Sequence, residues 1–443
     1  MKKTIIIFFV LLGTLSQAQV KKWTLPECVE YALENNITIK QSALDLEETE
    51  LNKKDAFGNF LPSLNLNSSH RWNIGLTGDP VSGTNVNATT QTSQIGIGSN
   101  VDIFRGRQNI NQMHRANLQI LSRQYQLDDM KDDISLFVAN AFLQILFNKE
   151  QLKVLKGQQE VSSQELNRTN DLVEAGALPR GDLLEIQATI ASQEQQIVNS
   201  ENALQISKIN LAQIMLIEDY ENFDIEDVEY AVPPSTILDV SPNAIFEKAK
   251  ETRYDVKIAE TNVEIAEDNL KINKGALWPT LTGFYNFGTS YFYNKLNPDL
   301  PSFKDQISDN KGHSLGLQLN VPVFNGFSTS NNVKRNEVNV LRTKNQLEQA
   351  GLDLQTAVYQ AYNDTKGASK AYEAAIKTLA AREEAFKYSQ ERYNVGLLNA
   401  FDYSQSQNRF EAAQSEVVRT KYDYIFKLKV LEFYFGIPIT DIN

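Results

Sequence analysis

The sequence predicts an α+β membrane protein. Each copy of the chain contributes four strands to a transmembrane β-barrel that continues into a long α-helical barrel. Three observations predict this class. Short segments alternate apolar and polar residues with period two, proline-free stretches of about seventy residues carry helical periodicity, and the same pattern occurs twice along the 443 residues.

The N-terminus predicts export. Two lysines at positions 2 and 3 precede an apolar run from Thr4 to Leu12, and Ser16-Gln17-Ala18 places small residues where a signal peptidase cleaves. We predict a signal peptide over residues 1–18. The apolar run of about nine residues is shorter than the roughly twenty of a spanning helix, so an uncleaved anchor is the weaker alternative.

Composition narrows the possible partners. The formal net charge of −12 makes nucleic acid a poor partner. The only cysteine, Cys28, cannot form an internal disulfide, and we expect a buried thiol at a helix start. No later segment has the hydropathy of a transmembrane helix, in keeping with a mean hydropathy of −0.37. A membrane span would therefore require strands.

The chain repeats itself. Gly176 and Asp182 correspond to Gly396 and Asp402, each 220 residues later, while Pro62 corresponds to Pro279, 217 residues later. We predict two repeats, residues 19–217 and 241–443. Each has the order helix, strand, loop, strand, long helix, turn, long helix. Between them, residues 218–240 form an acidic equatorial linker whose charge indicates a solvated face.

Three of the four strand segments pair an apolar face with a polar one, while the segment from Leu281 to Tyr291 is aromatic-rich but mixed. One face carries apolar residues opposite Asn, Gln and Gly, which fits lipid outside a barrel and water inside. A sandwich strand is the alternative, and the neighbouring long helices favour the barrel. The predicted strands are Leu64–Leu76, Ile95–Ile103, Leu281–Tyr291 and Leu315–Val323, with polar external loops at Thr77–Gln91 and Tyr293–Gly312.

Four strands cannot close a barrel alone. An open edge within hydrocarbon would leave backbone N–H and C=O groups unsatisfied, so membrane insertion requires oligomerisation. Two copies would give eight strands, whose interior side chains fill, whereas three give twelve and leave a passage. We therefore predict a homotrimer with a twelve-stranded barrel.

Two long proline-free stretches predict the helices, one between Gly106 and Gly176 and one from Ser328 to Val395. Seventy helical residues span about 100 Å. Partner helices are predicted to return from Asp182 to Leu216 and from Asp402 to Phe435. A periplasmic coiled-coil adaptor or scaffold would show similar apolar seams, but it would lack the strand pairs.

Three motifs resemble the TolC family of outer-membrane efflux proteins. They are Arg392–Leu397 followed by Asp402, its weaker copy Ala175-Gly176-Ala177 followed by Asp182, and Val321–Gly326. The resemblance implies a trimer in the outer membrane of a Gram-negative bacterium, with helices extending into the periplasm. It implies the exit duct of a tripartite efflux pump, with a periplasmic adaptor (membrane fusion) protein and an inner-membrane transporter as partners. The exit channel of a type I protein secretion system is the alternative.

By resemblance, Asp402, Asp182 and Tyr393 match positions of the family's periplasmic gate. Leu398 stands where the family has an arginine, and Gln405 where it has a second aspartate. Three copies of Asp402 around a narrow axis would attract cations. The alternative interpretation is that Asp182 and Asp402 are N-caps of the returning helices.

The turns between the long helices predict a docking surface. Gly176 and Gly396 are expected just past helix ends with positive φ. Their apolar neighbours would be exposed and would contact the adaptor, the predicted tip residues being Ala175, Gly176, Ala177, Val395, Gly396 and Leu397.

No enzymatic motif is present in the sequence. His70, His114 and His313 are far apart, and no Cys/His cluster, phosphate-binding glycine loop or serine nucleophile motif occurs. We therefore expect no catalysis, no cofactor and no metal site.

Overall fold

The computed structural model describes residues 21–78, 83–227, 232, 236–295, 297 and 299–439. The predicted signal peptide, residues 1–18, lies outside this range. The chain forms two compact units, and each unit draws on both halves of the sequence. Within the described residues, one unit comprises 21–40, 129–253 and 353–439, and the other 41–128 and 254–352. None of the described helices is both long enough and apolar enough for a membrane span.

A four-stranded antiparallel sheet dominates the second unit. Its strands are β2 (Asn65–Gly78), β3 (Asn85–Arg105), β5 (Thr280–Asn294) and β6 (Gly312–Asn320). The strand order is β2-β3-β5-β6, so β2 and β6 are the edges. Apolar side chains of the edge strands are exposed as the alternation predicts; Ile74 and Leu315 are 83% and 84% exposed.

The first predicted loop, Thr77–Gln91, is mostly strand. Pairing between β2 and β3 continues from Asn65 opposite Gly98 to Gly78 opposite Asn85. Ladder hydrogen bonds join backbone groups whatever the side-chain polarity, and the β-branched Val86 and Thr89 suit a strand. The prediction failed because it used the apolar alternation, which ends before the pairing does.

The second predicted loop, Tyr293–Gly312, contains a short helix, α7 (Phe303–Asp309). Ser302 caps it by accepting a hydrogen bond from the backbone N–H of Asp305 at 3.3 Å. Gln306 ties α7 to β5, since its side chain accepts from the Phe292 N–H and donates to the Phe292 carbonyl, each at 2.9 Å.

The last strand ends earlier than predicted. β6 stops at Asn320, so Val321 and Val323 lie beyond it. Pro322 has no N–H to donate to a ladder, which explains the early end.

The helices of the two halves have equal lengths. α1 (Leu25–Asn35) and α5 (Pro242–Thr252) have 11 residues, α2 (Ile37–Gly58) and α6 (Tyr254–Gly275) have 22, α3 (Gln108–Glu174) and α8 (Ser328–Asn394) have 67, and α4 (Arg180–Met215) and α9 (Ala400–Phe435) have 36. The long helices agree with the predicted stretches, whereas the single predicted leading helix of each half is two helices.

The break between the leading helices α1 and α2 is stabilised by hydrogen bonds of the Asn36 side chain. Asn36 has extended backbone with ψ 133°. Its side chain donates to the Ile214 carbonyl at 3.0 Å and accepts from the Thr38 N–H at 2.8 Å. Short polar side chains that bond nearby backbone groups in this way interrupt helices.

The core of the first unit forms where short helices pack on long ones, α1 against α4 and α5 against α9. Leu25, Leu211, Ile245 and Leu428 are fully buried there. Cys28 is a buried free thiol near the start of α1, as predicted.

The described part of the acidic linker is not a simple solvated face, contrary to the prediction. Its strand β4 (Asp224–Ile225) pairs in parallel with β1 (Lys22–Trp23). Lys149 binds Asp224 at 2.8 Å and Asp227 at 2.6 Å. Hydrogen bonds from Lys149 and Lys22 lower the pKa of Asp227 to about 2. The acidic residues therefore fasten the linker to α3.

Candidate functional site: the tips of the two helical hairpins

Both turns between long helices have the same backbone. Gly176 and Gly396 have φ of 73° and 77°, in the left-handed region that favours glycine. The N–H groups of Gly176 and Ala177 donate to the carbonyls of Val173 and Leu172 at 3.0 and 2.8 Å. These two bonds form the Schellman motif that closes a helix end.

The second turn repeats these contacts. Gly396 and Leu397 donate to the carbonyls of Tyr393 and Arg392 at 3.0 and 2.8 Å. The prediction of positive φ at both glycines is confirmed.

The returning helices begin two residues earlier than predicted, which corrects the N-cap interpretation. Pro179 precedes α4 and Asn399 precedes α9, so both aspartates are third helical residues. Asn399 is the cap: its Oδ1 accepts from the Asp402 N–H at 2.8 Å, and its Nδ2 donates to Asp402 Oδ2 at 2.9 Å. Pro179 has no side chain that could cap, so Asp182 lacks such a partner at this turn.

The tip residues are exposed. Ala175, Gly176, Ala177 and Gly396 lie at the surface, and Val395 and Leu397 are 69% and 68% exposed. Sequence reasoning missed two further apolar residues of this surface, Phe401 and Leu184, which are also exposed. The sequence contained a signal for both residues, because each is an apolar residue in the first turns of a returning helix. We call these eight residues the tip surface.

Tyr393 is buried within the second hairpin. Its ring stacks on Tyr403 with centroids 4.6 Å apart. Phe386 packs on Tyr403 at 5.6 Å and on Phe410 at 5.3 Å. Leu398, at the position of the family's arginine, packs against this aromatic cluster. The cluster fixes the end of α8 against the start of α9.

The structure does not join the three predicted gate residues by hydrogen bonds. Asp402 is exposed and Asp182 is half-buried. The Tyr393 hydroxyl is buried without a hydrogen-bond partner among the described residues. Two arginines nevertheless contact the second tip. Arg392 donates to the Leu397 carbonyl at 3.3 Å, and Arg168 donates to the Asn394 side chain.

Two residues of α3 that sequence reasoning missed lie beside the aromatic cluster. Glu165 is 8% exposed, and its nearest ionic partner is Arg168, 3.9 Å away. Thr169 is fully buried. Burial raises the pKa of Glu165, and the charge of Arg168 and the nearby Thr169 hydroxyl only partly oppose this. No pattern in the sequence indicates these contacts, because Glu165 lies more than two hundred residues from Tyr393.

Farther from the tips, Glu411 of α9 is held by amide groups. Gln193 donates to both of its carboxylate oxygens at 2.9 and 3.1 Å, and Gln407 donates at 2.8 Å. Gln407 also donates to Ser162 on α3 at 2.7 Å. Burial raises the pKa of Glu411. A hydrogen-bonded polar seam therefore joins α9 to α3 and α4.

A cavity of about 1190 Å³ adjoins this seam, with Leu152, Phe386, Phe410, Lys149 and Glu411 among its lining residues. Apolar and charged groups are mixed along its walls. Within the described ranges, no group of three or more His, Cys, Asp or Glu side chains could hold a metal ion. The tips thus combine exposed apolar side chains with a buried aromatic cluster.

Comparisons with known proteins agree with this architecture. The family model described as outer membrane efflux protein matches residues 28–215 and 245–436. Outer membrane protein TolC of Vibrio cholerae serotype O1 is 23% identical over 441 residues, covering 97% of this chain and 94% of the relative. TolC of Escherichia coli K12 is 21% identical over 418 residues, covering 93% and 81%.

A solved structure has the same fold. The outer membrane protein VceC of Vibrio cholerae superposes with a TM-score of 0.79, covering 94% of this chain and 96% of VceC, at 15% sequence identity.

Proposed function

Because the chain belongs to the outer membrane efflux protein family, we propose that it forms the outer-membrane exit duct of a tripartite efflux system. It is a protein of the Gram-negative outer membrane whose helical portion lies in the periplasm. Small molecules would pass through it without chemistry, delivered by an inner-membrane transporter through a periplasmic adaptor protein. The observation that carries the proposal is a sheet with two unpaired edges in a chain that also contains two 67-residue helices.

The unpaired sheet edges support a trimer. β2 and β6 expose rows of apolar side chains, and hydrocarbon cannot satisfy the backbone groups of an open edge. In the proposed assembly, β6 of one copy pairs with β2 of the next. Three copies then give a twelve-stranded barrel with a passage through it.

The equal helix lengths support an internal duplication. Corresponding helices are displaced by 217 residues before the sheet and by 220 after it, and the family model matches the chain twice. Under this proposal, residues 19–217 and 241–443 are the two repeats, residues 218–240 join them, and residues 1–18 are removed on export. Three copies then place six equivalent hairpins around the periplasmic end.

The tip surface is the proposed adaptor contact. Six hairpin tips in a trimer would present a ring of exposed apolar groups, and such groups mark protein interaction sites. Adaptors of this kind would approach with helical hairpins of their own. The second tip offers the larger side chains, with Val395, Leu397 and Phe401 all more than 60% exposed.

The proposed gate lies just inside the same tips. Asp402 is exposed and oriented by Asn399, so three copies would ring the axis with negative charge and favour cations over anions. Asp182 would lie nearby, and Tyr393 would support the wall from its buried stack. With Leu398 and Gln405 in place of the family's arginine and second aspartate, this gate has fewer charged links.

Gene deletion in the native host tests the function. We expect increased susceptibility to toxic small molecules and an unchanged secreted proteome, with resistance restored by the wild-type chain. Loss of a secreted polypeptide without any change in susceptibility would instead indicate type I secretion. Unchanged behaviour in both assays would contradict the duct.

Assembly is tested separately. The purified protein should run as a heat-modifiable trimer from outer membranes. A variant with Gly396 replaced by a bulky residue should lose crosslinking to the adaptor, because positive φ is unfavourable for a residue with a side chain and the turn is distorted. Crosslinking equal to wild type would show that the adaptor does not use this tip.

A further inference from the structure

A set of unpaired polar groups lies between the two hairpins, just behind the tips. Glu165 and Thr169 come from α3, Tyr393 from α8 and Tyr403 from α9, and all four residues are less than 9% exposed. In each, one buried oxygen lacks a hydrogen-bond partner among the described residues: Glu165 Oε1, Thr169 Oγ1, Tyr393 OH and Tyr403 OH. We call these four residues the hydroxyl–carboxyl cluster.

Such a cluster is unusual because buried polar groups are nearly always paired. A carboxylate is the most unfavourable of these groups to bury, since it has only acceptors and carries a charge. A protonated carboxyl group is different. It is neutral, and its O–H can donate as well as accept, with the Thr169 hydroxyl beside it.

The charged groups facing Glu165 neutralise it only in part. On its own helix, Arg168 is 3.9 Å away, 41% exposed, and donates to the Asn394 side chain. From α8 and α9 the facing titratable groups are Tyr393 and Tyr403. From α4, Asp182 adds a negative charge near Tyr393. Close to the carboxyl group, therefore, a proton is the counter-charge that this packing favours.

We propose that Glu165 is a proton-dependent clamp between the two hairpins, which holds α3 against Tyr393 and Tyr403 when neutral and releases them when ionised. The proposal rests on the proposed duct, whose periplasmic opening requires the hairpins to separate. Release would let water reach the carboxylate. The clamp would thus make the packed tips the favoured state at acidic pH and ease their separation as the pH rises.

The direction of this pH dependence follows from the linkage between proton binding and packing. Burial raises the pKa of Glu165, so the packed state binds the proton more tightly than a separated, solvated state. The stabilisation of the packed state is complete below the ordinary glutamate pKa. It is lost as the pH rises through the raised pKa. For each unit by which burial raises the pKa, the packed fraction relative to the open one changes about tenfold.

Hydrogen exchange of the full-length protein in detergent tests the clamp without requiring transport. After correction for intrinsic rates, amides of residues 160–172 and 386–404 should lose protection from acidic to neutral pH. Glu165→Gln keeps the shape of the neutral carboxyl group and should remain protected throughout. Glu391→Gln, the same change at an exposed site of α8, should behave like wild type.

Glu411 also has a raised pKa, so Glu411→Gln is a required comparison. If it removes the pH dependence while Glu165→Gln keeps it, the proposal is overturned. Wild-type protection that does not change with pH would overturn it as well. Loss of pH dependence only in Glu165→Gln supports it.

Conductance in planar bilayers then links the clamp to the duct. Wild-type conductance should rise with pH through the same window in which protection falls, and Glu165→Gln should stay at the acidic level. A wild-type protein that conducts at no pH would contradict the duct but leave the exchange result standing. A conducting Glu165→Gln variant with the wild-type pH profile would overturn the clamp.

Discussion

The two hairpin tips share a backbone but not a set of side chains. Gly176 and Gly396 have nearly equal φ, and the same two hydrogen bonds close both α3 and α8. The aromatic cluster of the second hairpin, however, consists of Phe386, Tyr393, Tyr403 and Phe410. At the positions 220 residues earlier the first hairpin has aliphatic side chains: Leu166, Val173, Leu183 and Ile190.

Burial differs in the same way. Phe386, Tyr393 and Tyr403 are buried, whereas all four aliphatic counterparts are half-buried. The comparison teaches that a repeated turn needs only glycine and the helix-end hydrogen bonds, while packing around it is free to diverge. The second hairpin has a buried aromatic interior at its tip, and the first hairpin supplies Glu165 and Thr169 beside it.

The largest expected difference in stability between the hairpins follows from substituting Tyr403 and its counterpart Leu183. Tyr403→Ala removes a ring that is 1% exposed, and loss of a buried aromatic ring costs about 3–5 kcal/mol. Leu183→Ala removes a half-buried side chain and should cost about 1–2 kcal/mol, since less apolar surface is lost. The free energy of local opening, measured by hydrogen exchange in residues 386–410 and 166–190, checks both values.

Equal losses at the two sites would contradict this asymmetry. A Tyr403→Phe control keeps the ring and removes only a hydroxyl that has no partner, so it should retain most of the stability. If Tyr403→Phe were as damaging as Tyr403→Ala, the hydroxyl rather than the stacking would hold the tip.

The turn glycines should behave alike. Gly176→Ala and Gly396→Ala each force an L side chain into the left-handed region, which costs about 1–2 kcal/mol. No atom lies within 4 Å of an added Cβ at either position, so the backbone alone determines the loss. Local opening of the last turn of α3 and of α8 should increase by the same factor. A twofold difference in free energy would show that the turns are not equivalent.

A smaller difference is expected at the helix starts. Asn399→Ala removes the cap of α9 and should cost about 1 kcal/mol. Pro179→Ala removes no capping hydrogen bond from α4 and serves as the matched control. Exchange of the first amides of each helix measures both. Fraying of α4 after Pro179→Ala as large as that of α9 after Asn399→Ala would exclude capping as the cause.

Sequence reasoning succeeded where the determinants are local. Glycines with positive φ, the exposed Val395 and Leu397, and the ends of the long helices all follow from short patterns. It placed the helix starts two residues late because it chose Asp402 rather than Asn399 as the cap. A local signal existed there, since an Asn three residues before an Asp resembles a capping box.

Sequence reasoning failed where the structure of one segment depends on its contacts with another segment. The pairing of Asn85 with Gly78 depends on the partner strand, so alternation alone could not reveal it. Likewise, Glu165 and Tyr403 meet only when two hairpins pack together, and neither residue stands out in its own helix. The family resemblance gave the candidate gate residues, but it did not predict how they pack.

The smallest expected effect, at Tyr393, is the most informative about assembly. Its hydroxyl has no hydrogen bond of ordinary geometry among the described residues of a single chain, so Tyr393→Phe should change local stability by no more than about 1 kcal/mol. Its counterpart Val173 has no hydroxyl at all, and Val173→Thr, which introduces one, should destabilise. Hydrogen exchange on monomer and trimer fractions, alongside bilayer conductance, measures both variants. If Tyr393→Phe instead destabilises the trimer alone and increases its conductance, the hydroxyl bonds a neighbouring copy, and the gate is closed between subunits rather than within one.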